Sequence, residues 1–142
     1  MSARRFWVFI EQEEGKAHPV SWELLGVASR LASEVKEEAD AAGDTVHVEC
    51  ILLGDQVEGI AQEAIKYGAE RVYLVDEPEL ANYRNCPYYK CIVGVVRKHG
   101  PEVLLIGATT LGRDLAGAVA TSLRTGLTPD CTGLEMGWVK GS

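Results

Sequence analysis

VLLIGATTLGRDLAG, residues 103–117, joins an apolar strand to a helix through a polar turn. Val103 to Ile106 carries no polar residue, which suits a strand covered on both faces. Gly107 to Thr110 supplies the turn. Leu111, Leu115, Val119 and Leu123 then recur at i+4, the spacing of a helix with one buried stripe. A buried strand running straight into an amphipathic helix is the repeating unit of a parallel α/β sheet.

The same alternation extends upstream. Phe6 to Glu11 (FWVFIE) is a strand rich in aromatic and β-branched residues. EEGKAHP follows as an exposed connection, with Ser21 as helix N-cap and Glu23 in the first turn. Leu24, Ala28, Leu31, Val35 and Ala39 form the helix stripe, and Gly43 stops it. Val46 to Leu53 is the second strand. A shorter helix runs from Val57 to Tyr67, with Val57, Ile60, Ala61, Ala64 and Ile65 facing inward. Val72 to Val75 is the third strand and DEPEL a turn. Pro87 fits the first turn of the next helix, whose buried stripe is Tyr88, Ile92, Val95 and Val96. Lys98, His99, Gly100 and Pro101 end that helix. CTGLEM, residues 131–136, reads as a fifth strand. Helices linking strands in this order predict one doubly wound α/β domain with a mostly parallel sheet and helices on both faces.

The chain has 142 residues, one domain's worth, with 46% apolar and 25% charged residues. Its formal charge of −7 and the lack of any Lys/Arg cluster exclude a nucleic-acid surface. No apolar run approaches the roughly 20 residues that span a bilayer, so no membrane insertion is expected. The N-terminal apolar run breaks into EQEEG after five residues, too short for a secretory signal. The expected compartment is the cytoplasm, or the matrix of a mitochondrion. Cys50, Cys86, Cys91 and Cys131 form no CxxC pair, and His18, His47 and His99 are scattered, so no metal is expected.

In an open parallel sheet, ligands collect beyond the carboxyl ends of the strands, here Glu11, Gly54, Asp76 and Gly107. The last of these is the richest. Free N–H groups at the helix start, with the hydroxyls of Thr109 and Thr110 and the small Gly112, suit a phosphate or a flavin carbonyl oxygen. The plainer reading makes the threonines helix caps and the glycines turn formers. Arg113 stands in the first helical turn, where a cation opposes the helix dipole by roughly 0.3–1 kcal/mol. Such a residue calls for compensation by Asp114, another acid, or a ligand. A guanidinium at the mouth of a sheet also suits an electron-rich ring or its oxyanion. The chain has no G-x-G-x-x-G after its first strand, no GxxxxGK[ST] and no G-x-S-x-G, so self-contained catalysis is not expected.

Three stretches resemble the electron-transfer flavoprotein alpha subunits: FWVFIEQEEGKAHPVSWELLGVASRLA, YGAERVYLVDEPEL and, most specifically, GATTLGRDLAGAVATSLRTGLTPDCTGLEM. The resemblance covers essentially the whole chain. It assigns residues 4–137 to the N-terminal domain of such a subunit and 138–142 to a tail or the start of a linker. The implied fold is that of the adenine-nucleotide alpha hydrolases and universal stress proteins.

The implied partner is a beta subunit. Electrons would pass from a dehydrogenase, such as an acyl-CoA dehydrogenase of fatty acid beta-oxidation, through FAD to a quinone oxidoreductase. In bifurcating members ferredoxin is an acceptor. Family members continue into a second domain that makes most FAD contacts, and this sequence stops where it would begin. The domain alone is therefore expected to hold FAD weakly or not at all. In bifurcating members the arginine matching Arg113 approaches the beta subunit's flavin, and Thr125, Gly126, Asp130 and Cys131 match the family's following loop. Competing readings are a free-standing adenine-nucleotide-binding module of universal-stress-protein type and an assembly domain with no ligand.

Overall fold

A computed structural model describes residues 3–123, 128–129 and 135–139. The elements are β1 (Ala3–Ile10), β2 (Gln12–Glu13), β3 (Lys16–Ala17), α1 (Val20–Ala42), β4 (Thr45–Gly54), α2 (Glu58–Lys66), β5 (Arg71–Asp76), α3 (Asn85–His99), β6 (Val103–Gly107), α4 (Thr110–Leu123), β7 (Thr128–Pro129) and β8 (Glu135–Val139). Pro78–Leu80 is a 3-10 turn between β5 and α3. Six strands make one sheet in the order β5-β4-β1-β6-β8-β7. β5, β4, β1 and β6 are parallel, whereas β8 runs antiparallel to β6 and β7 antiparallel to β8. The doubly wound, mostly parallel α/β architecture is therefore as the sequence predicts.

From β1 the chain steps outward to β4 and β5, then returns to lay β6 on the other side of β1. That reversal puts the topological switch point between β1 and β6. Both faces of the sheet are covered. Phe6, Val8 and Ile10 of β1 pack with Leu24 of α1 and Ile60 of α2. Trp7 and Phe9 pack on the opposite face with Ile92 of α3 and Leu115 of α4. Successive strand side chains point to opposite faces, so two cores turn the alternation of β1 into a continuous apolar run.

Beside the second core lies a charged group. Glu49 is only 2% exposed. Its carboxylate accepts hydrogen bonds from the Arg5 guanidinium at 2.8 and 3.0 Å, the Trp7 indole N–H at 2.9 Å and the Tyr73 hydroxyl at 3.1 Å. A buried carboxylate is tolerable when it is paired and its lone pairs are filled, as here.

Several local readings need correction. Ser21 is not the N-cap of α1: the helix starts at Val20 after Pro19, which makes no side-chain cap bond. The Ser21 hydroxyl instead takes the N–H of Glu11 at 2.9 Å, tying the helix start to the end of β1. The exposed connection after β1 is a small hairpin, β2 paired with β3, that turns through Glu14 and Gly15 at positive φ. Ile65 is 48% exposed rather than inward-facing. Helix α2 lies over the edge strand β5, so only a narrow stripe through Val57, Ile60 and Ala64 is covered. Glu135 and Met136 of the CTGLEM segment are in β8, and its residues 131–134 lie outside the described residues.

Candidate functional site

The switch point is built around Glu11, the residue after β1, which is 8% exposed. Its backbone is held by Ser21 of α1. Its carboxylate accepts a 2.6 Å hydrogen bond from the hydroxyl of Thr109. The same Thr109 oxygen accepts the N–H of Gly112 at 2.9 Å, which makes Thr109 the N-cap of α4. Three elements thus meet at Glu11, and its carboxylate stands beside a helix N-terminus, where negative charge is favoured.

Gly112 explains how closely α4 sits on its strand. A Cβ built on it would overlap the carbonyl oxygen of Gly107 at the end of β6. The glycine in the turn is therefore required by close approach of two backbones.

In front of Glu11 opens a cleft of about 630 Å³. Glu11, Glu13, Tyr83, Thr110, Leu111 and Asp114 line it, and among the described residues no lysine or arginine does. Asp114 is fixed in place by the Tyr83 hydroxyl at 2.6 Å and the Asn85 amide at 2.8 Å. Those bonds, the tyrosine's first, hold the Asp114 carboxyl below its ordinary range. Burial, with Asp114 behind it, pushes the Tyr83 phenol up to about 12. Both groups therefore keep their charge states across the neutral range.

Thr109, Thr110, Gly112 and Arg113 fall within one helical turn at the carboxyl edge of the sheet. Thr109 is committed to Gly112 and Glu11, whereas Thr110 is exposed and lines the cleft. Arg113 is exposed, and its N–H donates to the Thr109 carbonyl at 2.9 Å. Asp114 does not compensate it, because Asp114 is engaged by Tyr83 and Asn85. Among the described residues the Arg113 guanidinium has no ion-pair partner. Thr125, Gly126, Asp130 and Cys131 lie outside the described residues. Glu11, Glu13, Tyr83 and Asn85 were not singled out from the sequence as site residues. Glu11 meets Thr109 across 98 positions, a separation at which no local motif can signal contact.

This edge does not fit a pyrophosphate. The helix start that would cradle an anion already faces the Glu11 carboxylate, and the cleft before it is acidic. Arg113 stands exposed at the same edge, with no ion-pair partner among the described residues.

A family model, the electron transfer flavoprotein domain, matches residues 6–139. The chain belongs to the electron transfer flavoprotein family. It is 51% identical over 136 residues to protein FixB of Azorhizobium caulinodans, covering 94% of this chain and 34% of that protein. It is 45% identical over 130 residues to the electron transfer flavoprotein subunit alpha of Thermoanaerobacterium thermosaccharolyticum, covering 92% and 37%. It is 39% identical over 133 residues to the lactate dehydrogenase (NAD(+),ferredoxin) subunit LctC of Acetobacterium woodii, covering 94% and 30%. The chain spans about a third of the length of these relatives. Among the described residues no helix is long and apolar enough to cross a membrane.

Proposed function

We propose that residues 4–137 act as the N-terminal domain of an electron-transfer flavoprotein alpha-type subunit, working in the cytoplasm or, in a eukaryote, the mitochondrial matrix. The domain pairs with a beta subunit and presents Arg113 to a flavin held by that partner. The observation that carries the reading is the exposed Arg113 in the first turn of α4, without an ion-pair partner among the described residues, next to a cleft lined by Glu11, Glu13 and Asp114. FAD supplies the electron-carrying chemistry to the assembly. The part of this chain is to seat the partner, keep the pyrophosphate off its own sheet edge, and place one fixed positive charge near the ring. A guanidinium there favours negative charge on its neighbour and so raises the neighbour's potential. Electrons would enter from a dehydrogenase, such as an acyl-CoA dehydrogenase, and leave to a quinone oxidoreductase or a ferredoxin. The names of the relatives support this reading, since they include electron transfer subunits and a ferredoxin-coupled dehydrogenase subunit.

The test pairs the chain with its beta subunit and compares it with Arg113→Ala. The expected result is a flavin potential that falls in the variant while flavin occupancy and assembly hold. An unchanged potential overturns the role of Arg113. Calorimetric titration of the isolated chain with AMP, ATP and FAD checks the wider reading. Tight ATP binding would replace it with the free-standing nucleotide module.

A further inference from the structure

The large apolar side chains exposed among the described residues are Ile65, Tyr67 and Leu74, at 48%, 55% and 37%. All three lie on α2, its C-cap and β5, at one edge of the sheet. β5 pairs with β4 on one side, and no described strand pairs with its other side. Natural sheets blunt an open edge with lysine, proline or a very short strand. The opposite edge strand, β7, is two residues long and contains Pro129. β5 is six residues, RVYLVD, with no proline and with charges only at its two ends, Arg71 and Asp76. Extended backbone continues through Glu77, at φ −138° and ψ 141°.

We infer that the β5 edge joins a second copy of this chain, antiparallel, about a two-fold axis through Leu74. The sequence of the edge selects both the occupant and the register. A two-fold normal to the sheet must place one residue opposite itself. Centring it on Leu74 sets the exposed leucines against each other and Tyr73 against Val75 of the second copy. The same register puts Arg71 opposite Glu77 of the second copy, twice by symmetry. Arg71 and Glu77 are exposed, and neither has an ion-pair partner among the described residues. Centring on Tyr73 sets Arg71 opposite Val75 and Glu77 opposite Ala69, and centring on Val75 sets Glu77 opposite Tyr73 and would need Glu79, which lies in the 3-10 turn and not on extended backbone, to meet Arg71. Val72, on the Leu74 face, packs into the core under α1 and α2. The axis therefore also brings the two α2 helices, which carry the exposed Ile65, onto one side of the joined sheet. Tyr67 is already held flat against Trp22, with ring centroids 4.5 Å apart and planes 9° from parallel.

The edge is separate from the switch-point cleft, with β4 and β1 between them. The inference stands on the chain alone and needs no flavin or beta subunit.

The experiment is light scattering of the chain across a concentration series, with circular dichroism to confirm folding of each variant. The expected result is a mass rising toward twice that of the chain. Leu74→Lys sets two like charges on the axis and should keep the chain monomeric. Arg71→Glu and Glu77→Arg should each weaken association roughly tenfold or more, and the double exchange should restore it. The exchanged residues are exposed, so this arm remains decisive if Leu74→Lys does not fold. A monomer at every concentration overturns the inference and leaves the edge to a different chain. A dimer insensitive to all these changes, or a double exchange no better than either single change, also overturns it.

Discussion

A Cβ added at Gly112 overlaps the Gly107 carbonyl oxygen, whereas one added at Gly94 meets nothing within 4 Å. Gly94 sits on the exposed face of α3. Both glycines lie inside helices, α3 and α4, and a methyl group has opposite consequences at the two. Gly112→Ala must push α4 away from the end of β6 and disturb the Thr109 cap, with an expected cost of about 2–4 kcal/mol. Gly94→Ala should stabilise the chain by about 0.5–1 kcal/mol, by restricting the unfolded state and improving helix propensity. Urea unfolding of both variants measures the difference. Equal effects would mean that α4 does not lie as close to β6 as described. The sequence marks Gly112 as part of a turn, but only the backbone-to-backbone distance says that nothing larger fits.

At the scale of elements, the C-terminal end of α3 shows what periodicity can and cannot reveal. Lys98, His99, Gly100 and Pro101 announce the end of the helix, and Gly100 caps it at φ 61°. That His99 then lands on Tyr73, ring centroids 4.6 Å apart, and 6.0 Å from Trp7 depends on β5 and β1, which no helical pattern contains. Burial first, then Lys98, Arg5 and Arg71, hold the His99 imidazole below its ordinary pKa, against a smaller opposing pull from Glu49. The sign follows directly. The unfolded chain takes up this proton near the ordinary histidine value of about 6.5, and the folded chain only at lower pH. The stabilisation is complete above about 6.5 and is lost as pH falls through the folded pKa. His99→Phe keeps a ring against Tyr73 and removes the titration, so its stability should fall less steeply with pH below about 6.5. Denaturant unfolding at pH 7.5 and pH 5 checks this, and identical pH dependence in the two proteins would count against it. The strands and helices themselves were largely legible, because both sheet faces are covered and the apolar runs are long. Ser21 and Ile65 were not, because each is set by a neighbour outside its own helix: Glu11 at the end of β1, and the sheet edge, respectively.

For the molecule as a whole, the topology separates two surfaces. The cleft and Arg113 belong to the carboxyl edge between β1 and β6, where α4 starts. The β5 seam lies two strands away from β1 on the far side of β4. No hydrogen bond described here links Leu74, Arg71 or Glu77 side chains to Glu11, Thr109 or Asp114. Sites that share no partner and are well separated change free energy nearly additively, within about 0.3–0.5 kcal/mol. Pairing with the beta subunit and pairing with a second copy should therefore be independent. Leu74→Lys is expected to abolish the second-copy pairing and to leave affinity for the beta subunit within about twofold of wild type, the scale of that additivity error. Leu111→Glu, which adds a charge to the cleft wall, is expected to do the reverse. Titrating each variant with labelled beta subunit, and weighing each by light scattering without it, gives both quantities. If Leu74→Lys weakened beta-subunit binding as strongly as Leu111→Glu, the two surfaces would have to be one interface, and the assembly would be built on the β5 edge instead of the switch point.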